Sequence, residues 1–287
     1  HAIDRDPSWL DAAKLVFDVT SGTTHKTELQ NFRVTGDTIA VEGWVGLSAD
    51  QKPQEFKFPS VSLNTVSRLQ VAGKRGQRDI WDVTASGSTF DGKEFFRSLF
   101  TVGSAPAQGS APKKGGVDVP ATIDNVLGYS DVGLRSFSMR LSKRGDELTA
   151  LDARGKIDGG RNLIAILQAE PGGARKIIAD TTDAGQALRL VGFYPNMQGG
   201  RGRIDIELDR KGAAEKTGVL IIEDFKILGD PIVSEVVGSV EGDGPAIGAA
   251  TPGRRRVVRE VFEFDRMRLP FSVGHGQFAI DDSYLRG

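Results

Sequence analysis

The sequence predicts a mainly β protein made of antiparallel hairpins with a few short helices. Apolar and polar side chains alternate, or nearly alternate, as they do in half-buried strands, in four segments: residues 15–19, 38–45, 203–209 and 273–280. Turn signals such as Gly36-Asp37 and Gly199-Gly200 separate such segments. A helical period appears only in residues 92–100, 183–193 and 230–237. Because helices of this length are not stable alone, we expect them to pack on the sheet.

The alternation also assigns side chains to the two faces of the sheet, because successive residues of a strand point in opposite directions. One face is predicted to carry Leu15, Phe17, Val19, Ile39, Val41, Ile204, Ile206 and Leu208. The side chains predicted to face water are Asp18, Glu42, Asp205 and Glu207. The apolar face is either the core of a β-sandwich or a sheet-plus-helix domain, or the lining of a groove for an apolar ligand.

Composition narrows the classes of function. The 287 residues include 37 Lys and Arg against 38 Asp and Glu, so no overall field favours nucleic acid or an anionic surface. The chain has 0 Cys, which excludes disulfides and thiolate chemistry and leaves the redox compartment undecided. Apolar stretches such as Val219 to Ile222 are far shorter than the roughly 20 residues of a membrane-spanning helix. We therefore expect a soluble chain in which any electrostatic recognition is local.

One segment interrupts the strand pattern. Residues 104–121 begin with a small, polar stretch rich in Pro, Gly and Ser, which predicts a linker or a long mobile loop. It separates residues 1–103, a first β-rich segment, from residues 122–287. Each half contains strands followed by a strand, a turn and a short helix, so a repeated β-rich unit is expected.

Residues for catalysis are few. His1 is terminal, and His25 and His275 stand alone in turn or strand contexts. Ser130 lies in a glycine-flanked stretch that misses the spacing of a nucleophile elbow by one residue, and no strand-to-helix junction follows it. We therefore predict no catalytic residue, no metal site and no cofactor. A hydrolase that uses Ser130 or His275 is kept as an alternative.

The basic side chains form one cluster in the sequence, at Arg254, Arg255, Arg256 and Arg259. This cluster is either a solvated loop or a contact for phosphate head groups or an acidic partner. Aromatic residues do not alternate with these arginines, which disfavours nucleic acid as the partner.

The order of strands, turns and short helices forms a pattern that is densest from about Ile123 onward. Residues 178–200 contain a strand, an Asp183-Ala184-Gly185 helix start and a Gly199-Gly200 turn, and residues 217–233 run from a strand into a helix-opening Asp230. Residues 260–267 and 276–282 follow as a hairpin, and residues 83–92 are similar to upstream strands. This pattern resembles the AsmA-like C-terminal region of the large bacterial envelope proteins related to AsmA, YhdP and TamB. Residues 238–252 are more loop-like than in that family, and the pattern stops at Gly287, so we expect a fragment of a longer protein.

The resemblance implies an elongated, strongly curved antiparallel sheet that forms an open, taco-like groove with a few short helices. It also implies a non-enzymatic groove module of a bridge-like protein that carries phospholipid or another acyl-chain lipid through the periplasm, between the inner and outer membranes. The full-length protein would be anchored to the inner membrane outside this sequence and would meet envelope proteins at either membrane. The alternative is a structural or assembly scaffold of the cell envelope.

Overall fold

The alternating segments pair into one large sheet in the computed structural model. The structure describes residues 13–22, 24–101, 115–145, 147–209, 216–231, 233, 261–274, 277–280 and 284–286. The strands are β1 Lys14–Thr20, β2 Thr27–Thr35, β3 Ile39–Leu47, β4 Pro53–Leu63, β5 Ser67–Arg75, β6 Ile80–Asp91, β7 Gly116–Leu127, β8 Gly133–Arg144, β9 Glu147–Ile157, β10 Arg161–Ala169, β11 Arg175–Thr181, β12 Met197–Glu207, β13 Lys216–Leu228, β14 Val261–Gly274, β15 Gln277–Ile280 and β16 Tyr284–Arg286. The helices are α1 Lys93–Thr101 and α2 Ala184–Leu190. A mainly β fold is therefore confirmed.

Spatial order follows chain order, because most neighbouring strands are joined as hairpins. β1 to β15 form one path in which each strand pairs with the next, and β16 pairs with β14 beside β15. β1 and β15 are the two ends of this path and do not pair with each other, so the sheet is open. Each predicted strand in residues 15–19, 38–45 and 203–209 lies largely within β1, β3 or β12.

The β6–β7 pair is parallel, unlike the other neighbouring pairs along the path. A parallel neighbour requires the chain to return along the length of the strand before it pairs again, and α1 lies on this return. The prediction of a linker over residues 104–121 is therefore wrong at its end, since β7 begins at Gly116. Residues 102–114 lie outside the described residues. The sheet continues without a break across the predicted boundary between the halves.

A second correction concerns residues 273–280, which the alternation predicts as one strand. β14 ends at Gly274 and β15 begins at Gln277, and these two residues are register partners in an antiparallel pair. Alternation persists through a tight hairpin, so the period alone does not reveal the reversal.

Two of the three predicted helices form and pack on the sheet, and α2 is shorter than the predicted residues 183–193. Phe96 of α1 and Leu190 of α2 share one buried cluster with Ile123, Val126 and Ile157. An adjacent side of α2 joins a second cluster through Ala184 and Leu188, as the predicted contact of this helix with the sheet requires. The third predicted helix, residues 230–237, lies mostly outside the described residues.

Candidate ligand-binding face

The pairing register places the predicted apolar residues on one side of the sheet, here called the apolar face. Directly opposite residues of paired strands project to the same side. Leu15 pairs with Val34, Val34 with Val41, and Val41 with Val61. In the second half, Ile204 pairs with Ala179 and Leu220. The shared face is thereby confirmed for Leu15 and Val41, and for Val19, Ile39 and Ile206 by the same registers.

A ladder of directly paired apolar residues crosses the sheet from β5 to β14. We call it the alanine ladder, and its members are Val71, Ala85, Ala121, Met139, Ala153, Ala165, Ala179, Ile204, Leu220 and Leu269. Ala121 is buried, and the other members are partly exposed. The ladder therefore gives ten successive strands one continuous apolar strip.

Aromatic rings extend the apolar face into the first half of the sheet. Phe17 stacks on Phe32 with 6.4 Å between ring centroids, and Phe32 lies 5.6 Å from Phe58. Phe56 lies 5.2 Å from Phe58 and 5.6 Å from Trp81. This row places Phe17 on the predicted face, although a β-bulge between Val16 and Asp18 interrupts the register there. Sequence reasoning missed the row, because its rings come from four different strands, β1, β2, β4 and β6.

The opposite face of the sheet is charged. Arg33 pairs with Glu42 at 3.0 Å, Arg154 with Asp152 at 2.7 Å, and Arg203 with Asp205 at 3.0 Å. The four predicted water-facing carboxylates, which are Asp18, Glu42, Asp205 and Glu207, belong to this face by the register. Charged pairs therefore lie on this face in both halves, with Ile166 and the buried Ile178 between Asp152 and Asp205 in the second.

One end of the apolar face is covered by the two helices and is here called the helix end. Ile123 and Phe137, each two residues from the alanine ladder on its own strand, belong to or pack on the cluster that contains Phe96 and Leu190. Ile222, two residues from Leu220 on β13, is fully buried under α2. Side-chain packing therefore closes the helix end.

Basic side chains occupy the other end of the same face, here called the cationic end. They are Arg75 on β5, Lys143 on β8, Arg175 on β11 and Lys216 on β13. Each lies four residues from the ladder member of its own strand, so it projects from the apolar face. Sequence reasoning missed this group, because its members come from four strands that are far apart in the chain.

The other candidate residues either have no strand register that assigns them to a face or lie outside the described part of the chain. Leu208 follows the end of β12, where its amide donates to the carbonyl oxygen of Arg175 at 3.0 Å, and no strand register fixes its side. The four arginines of the basic cluster, Arg254, Arg255, Arg256 and Arg259, and also His275, lie outside the described residues. His25 lies 3.3 Å from Glu55, and Ser130 is exposed in a turn with φ 53°.

Comparison with known proteins finds no matching family model, no matching curated protein and no matching solved structure. Among the described residues, no helix combines the length and hydropathy that crossing a membrane requires.

Proposed function

We propose that this chain is the groove module of a bridge-like protein that carries phospholipid through the periplasm between the inner and outer membranes. The observation that carries the proposal is the alanine ladder, an apolar strip that crosses ten paired strands whose opposite face is charged. An acyl chain needs a continuous apolar strip without directed polar groups, and each buried CH2 group contributes about 0.8 kcal/mol. Such a site needs no catalytic residue.

Small side chains on the apolar face support a strongly curved sheet. Side chains converge on the concave side of a curved sheet, so small residues relieve crowding there. Five ladder members are alanines, and Gly73 and Gly218 lie on the same face beneath the rings of Phe56 and Phe271. Glycine inside a strand is typical of bends and close approaches.

Contacts between strands that are not neighbours also support curvature. Arg175 on β11 reaches across β10 to the carbonyl oxygen of Leu148 on β9, at 2.7 Å. Leu69 on β5 and Leu163 on β10 pack on the same buried cluster beneath the helices. In a flat sheet these two strands would be about 24 Å apart. A concave apolar face would bring them together under two short helices.

The resemblance to the AsmA-like family supports the choice of lipid, compartment and partners. It is carried by the pattern of Asp183, the Gly199-Gly200 turn and Asp230. Asp183 caps α2, and the carboxylate of Asp230 accepts a hydrogen bond from the Val233 amide at 3.2 Å, so both aspartates perform the local role that the pattern requires. Anchorage to the inner membrane and contacts with envelope proteins belong to the same proposal.

The decisive experiment introduces a charge on the apolar face through Ile206→Asp. Ile206 is partly exposed and pairs with Ile177, so the carboxylate would stand in the path of an acyl chain. Gln198→Asp, at an exposed position of the same strand, is the matched control. Each purified protein is extracted, its lipid content is measured by mass spectrometry, and its thermal unfolding is recorded. We expect Ile206→Asp to fold and to lose bound lipid, while the control keeps both properties.

The same experiment separates the groove from the scaffold. If the apolar face were packed shut, Ile206→Asp would bury an unpaired charge and unfold the protein. That outcome favours a structural scaffold of the envelope. A folded Ile206→Asp protein with undiminished lipid, or a wild-type protein without any lipid, would refute lipid binding on this face.

A further inference from the structure

The cationic end contains two lysines whose charges are not matched by any carboxylate among the described residues. Lys143 and Lys216 are half-buried and project from the apolar face. Within the described part of the chain, neither ammonium group makes an ion pair or a side-chain hydrogen bond. Their strands are separated by four others along the sheet, so only the tertiary structure brings them to one end of one face.

The arginines at this end are paired, which makes the two lysines distinct. Arg75 contacts Asp79 at 2.9 Å, and Arg175 contacts Asp209 at 2.6 Å and also Glu147. The Arg175 guanidinium holds the pKa of Asp209 below its usual value through hydrogen bonds. The protein therefore supplies acidic partners where it fixes a basic side chain in place, and it supplies none for Lys143 and Lys216 among the described residues.

An unmatched pair of cations on an apolar face is unfavourable in the absence of an anion. Burial lowers the pKa of Lys216, and the positive charge of Lys143 lowers it further. A flat sheet would hold β8 and β13 about 24 Å apart, so curvature of the sheet would bring the two lysines closer to each other. An anion placed between them would relieve both penalties.

We propose that Lys143 and Lys216 bind the anionic head group of an acyl-chain amphiphile, the chain of which lies along the apolar face toward the helix end. This inference rests on the proposed function. It specifies that the head group of the lipid lies at the cationic end and that its acyl chain points toward the helix end. Charge complementarity selects the head group, because a phosphate or similar anion would be the missing partner of both ammonium groups.

The length of the face fits such an occupant. From Lys216 to Ile222, β13 rises about 20 Å. One leaflet of a bilayer, and so one acyl chain, spans about 15 Å of hydrocarbon. Ile222 is fully buried under α2, so the strip is closed at its helix end, and beside Lys216 the buried ring of Phe271 covers Gly218. A chain whose head group meets Lys216 would therefore end before the packed helices.

The test measures binding of two soluble amphiphiles that share one chain, dodecyl phosphate and dodecyl maltoside, below their micelle concentrations by calorimetry. Inorganic phosphate is the third probe. The variant is Lys143→Gln/Lys216→Gln, with each single change alongside, and Lys156→Gln on the exposed opposite face is the matched control. Circular dichroism checks that each protein is folded.

We expect wild-type protein to bind dodecyl phosphate more tightly than dodecyl maltoside, by about fivefold for each lysine. The double variant should lose this preference and keep its affinity for dodecyl maltoside, and Lys156→Gln should change neither. Equal binding of both amphiphiles by wild type, or a preference that survives in the double variant, overturns the head-group site. Inorganic phosphate that binds as tightly as dodecyl phosphate overturns the role of the chain. Failure of both amphiphiles to bind contradicts the proposed function itself.

Discussion

At the scale of single residues, Asp183 shows how one buried carboxylate can organise a junction. Its Oδ1 accepts a hydrogen bond from the Gln186 amide at 2.9 Å and so caps α2, while its Oδ2 lies 3.0 Å from Nε of Arg161. The Asp183 amide in turn donates to the hydroxyl of Thr181 at 3.2 Å. The carboxylate therefore connects α2 to β10, and its own amide connects the helix start to the end of β11.

Replacing this carboxylate should weaken the junction. We expect Asp183→Ala to lower the free energy of unfolding by about 2 kcal/mol, because it removes the cap and leaves buried donors unpaired. Asp183→Asn keeps a capping oxygen and removes the charge opposite Arg161, so it should cost less. Chemical denaturation of the three proteins checks the order. An unfolding midpoint of Asp183→Ala equal to that of wild type would contradict the cap.

We expect the charge of Lys216 to lower the free energy of unfolding of the protein without ligand. The lowered pKa means that the charged form is disfavoured in the folded state, and this penalty is lost as the pH rises through the folded pKa. We therefore expect Lys216→Met to raise the melting temperature at pH 7, and the advantage should shrink as the pH approaches the ordinary lysine value of 10.5. Lys156→Met, at an exposed outer position, controls for the exchange of side chains. A lower melting temperature for Lys216→Met would show that the charge is satisfied.

At the scale of elements, glycine and aromatic residues act as pairs within the sheet. A Cβ atom added to Gly73 would lie 2.4 Å from atoms of the Phe56 ring, which covers this glycine from the neighbouring strand. The ring of Phe56 also contacts Phe58 and Trp81 in the aromatic row. The glycine therefore gives the row room to lie flat on β5.

This pairing predicts a coupled effect. Gly73→Ala should destabilise the protein by about 1–3 kcal/mol through overpacking, and its cost should be smaller in a Phe56→Leu background. Gly155→Ala is the control, because an added Cβ there would be no closer than 3.4 Å to Leu134. A double-mutant cycle by denaturant unfolding measures the coupling. Additive effects of Gly73→Ala and Phe56→Leu would refute the steric pairing.

At the scale of the whole molecule, the apolar face differs in packing, exposure and charge from one end of the strands to the other. The helix end is packed by Phe96 and Leu190, the alanine ladder is partly exposed, and the cationic end carries Lys143 and Lys216. Stability and ligand binding should therefore depend on different parts of one face. The helix end supplies buried apolar area, and the ladder supplies the open strip.

Two substitutions should separate these roles. Leu190 is fully buried, so Leu190→Ala should lower the free energy of unfolding by about 2–5 kcal/mol and leave the lipid content of the folded protein unchanged. Ala165 stands between Ala153 and Ala179 in the ladder, so Ala165→Trp should remove bound lipid with a smaller effect on stability. Gln168→Trp, exposed on the same strand, controls for the added ring. Lipid content and unfolding are measured together, and full lipid content in Ala165→Trp would contradict a ligand on the ladder.

Local sequence patterns predicted much of this architecture. Alternation predicted that Leu15, Val41 and Ile204 share one face, and Asp183 predicted the start of α2, because both depend on neighbours along the chain. The same reasoning failed at residues 273–280, where a hairpin keeps the alternation, and at residues 116–121, which look like the end of a linker but form a strand.

The sequence by itself determined an amphipathic β-sheet with glycine-rich turns and short capped helices, since side-chain alternation and capping are local properties. Only the tertiary structure decided the parallel pairing of β6 with β7 and the alignment of the aromatic row, because register between strands is set by contacts over the whole sheet. It also decided that Lys143 and Lys216 share one end of the apolar face. The position of one strand relative to a distant strand depends on every turn and bulge between them. A local sequence pattern therefore cannot predict it.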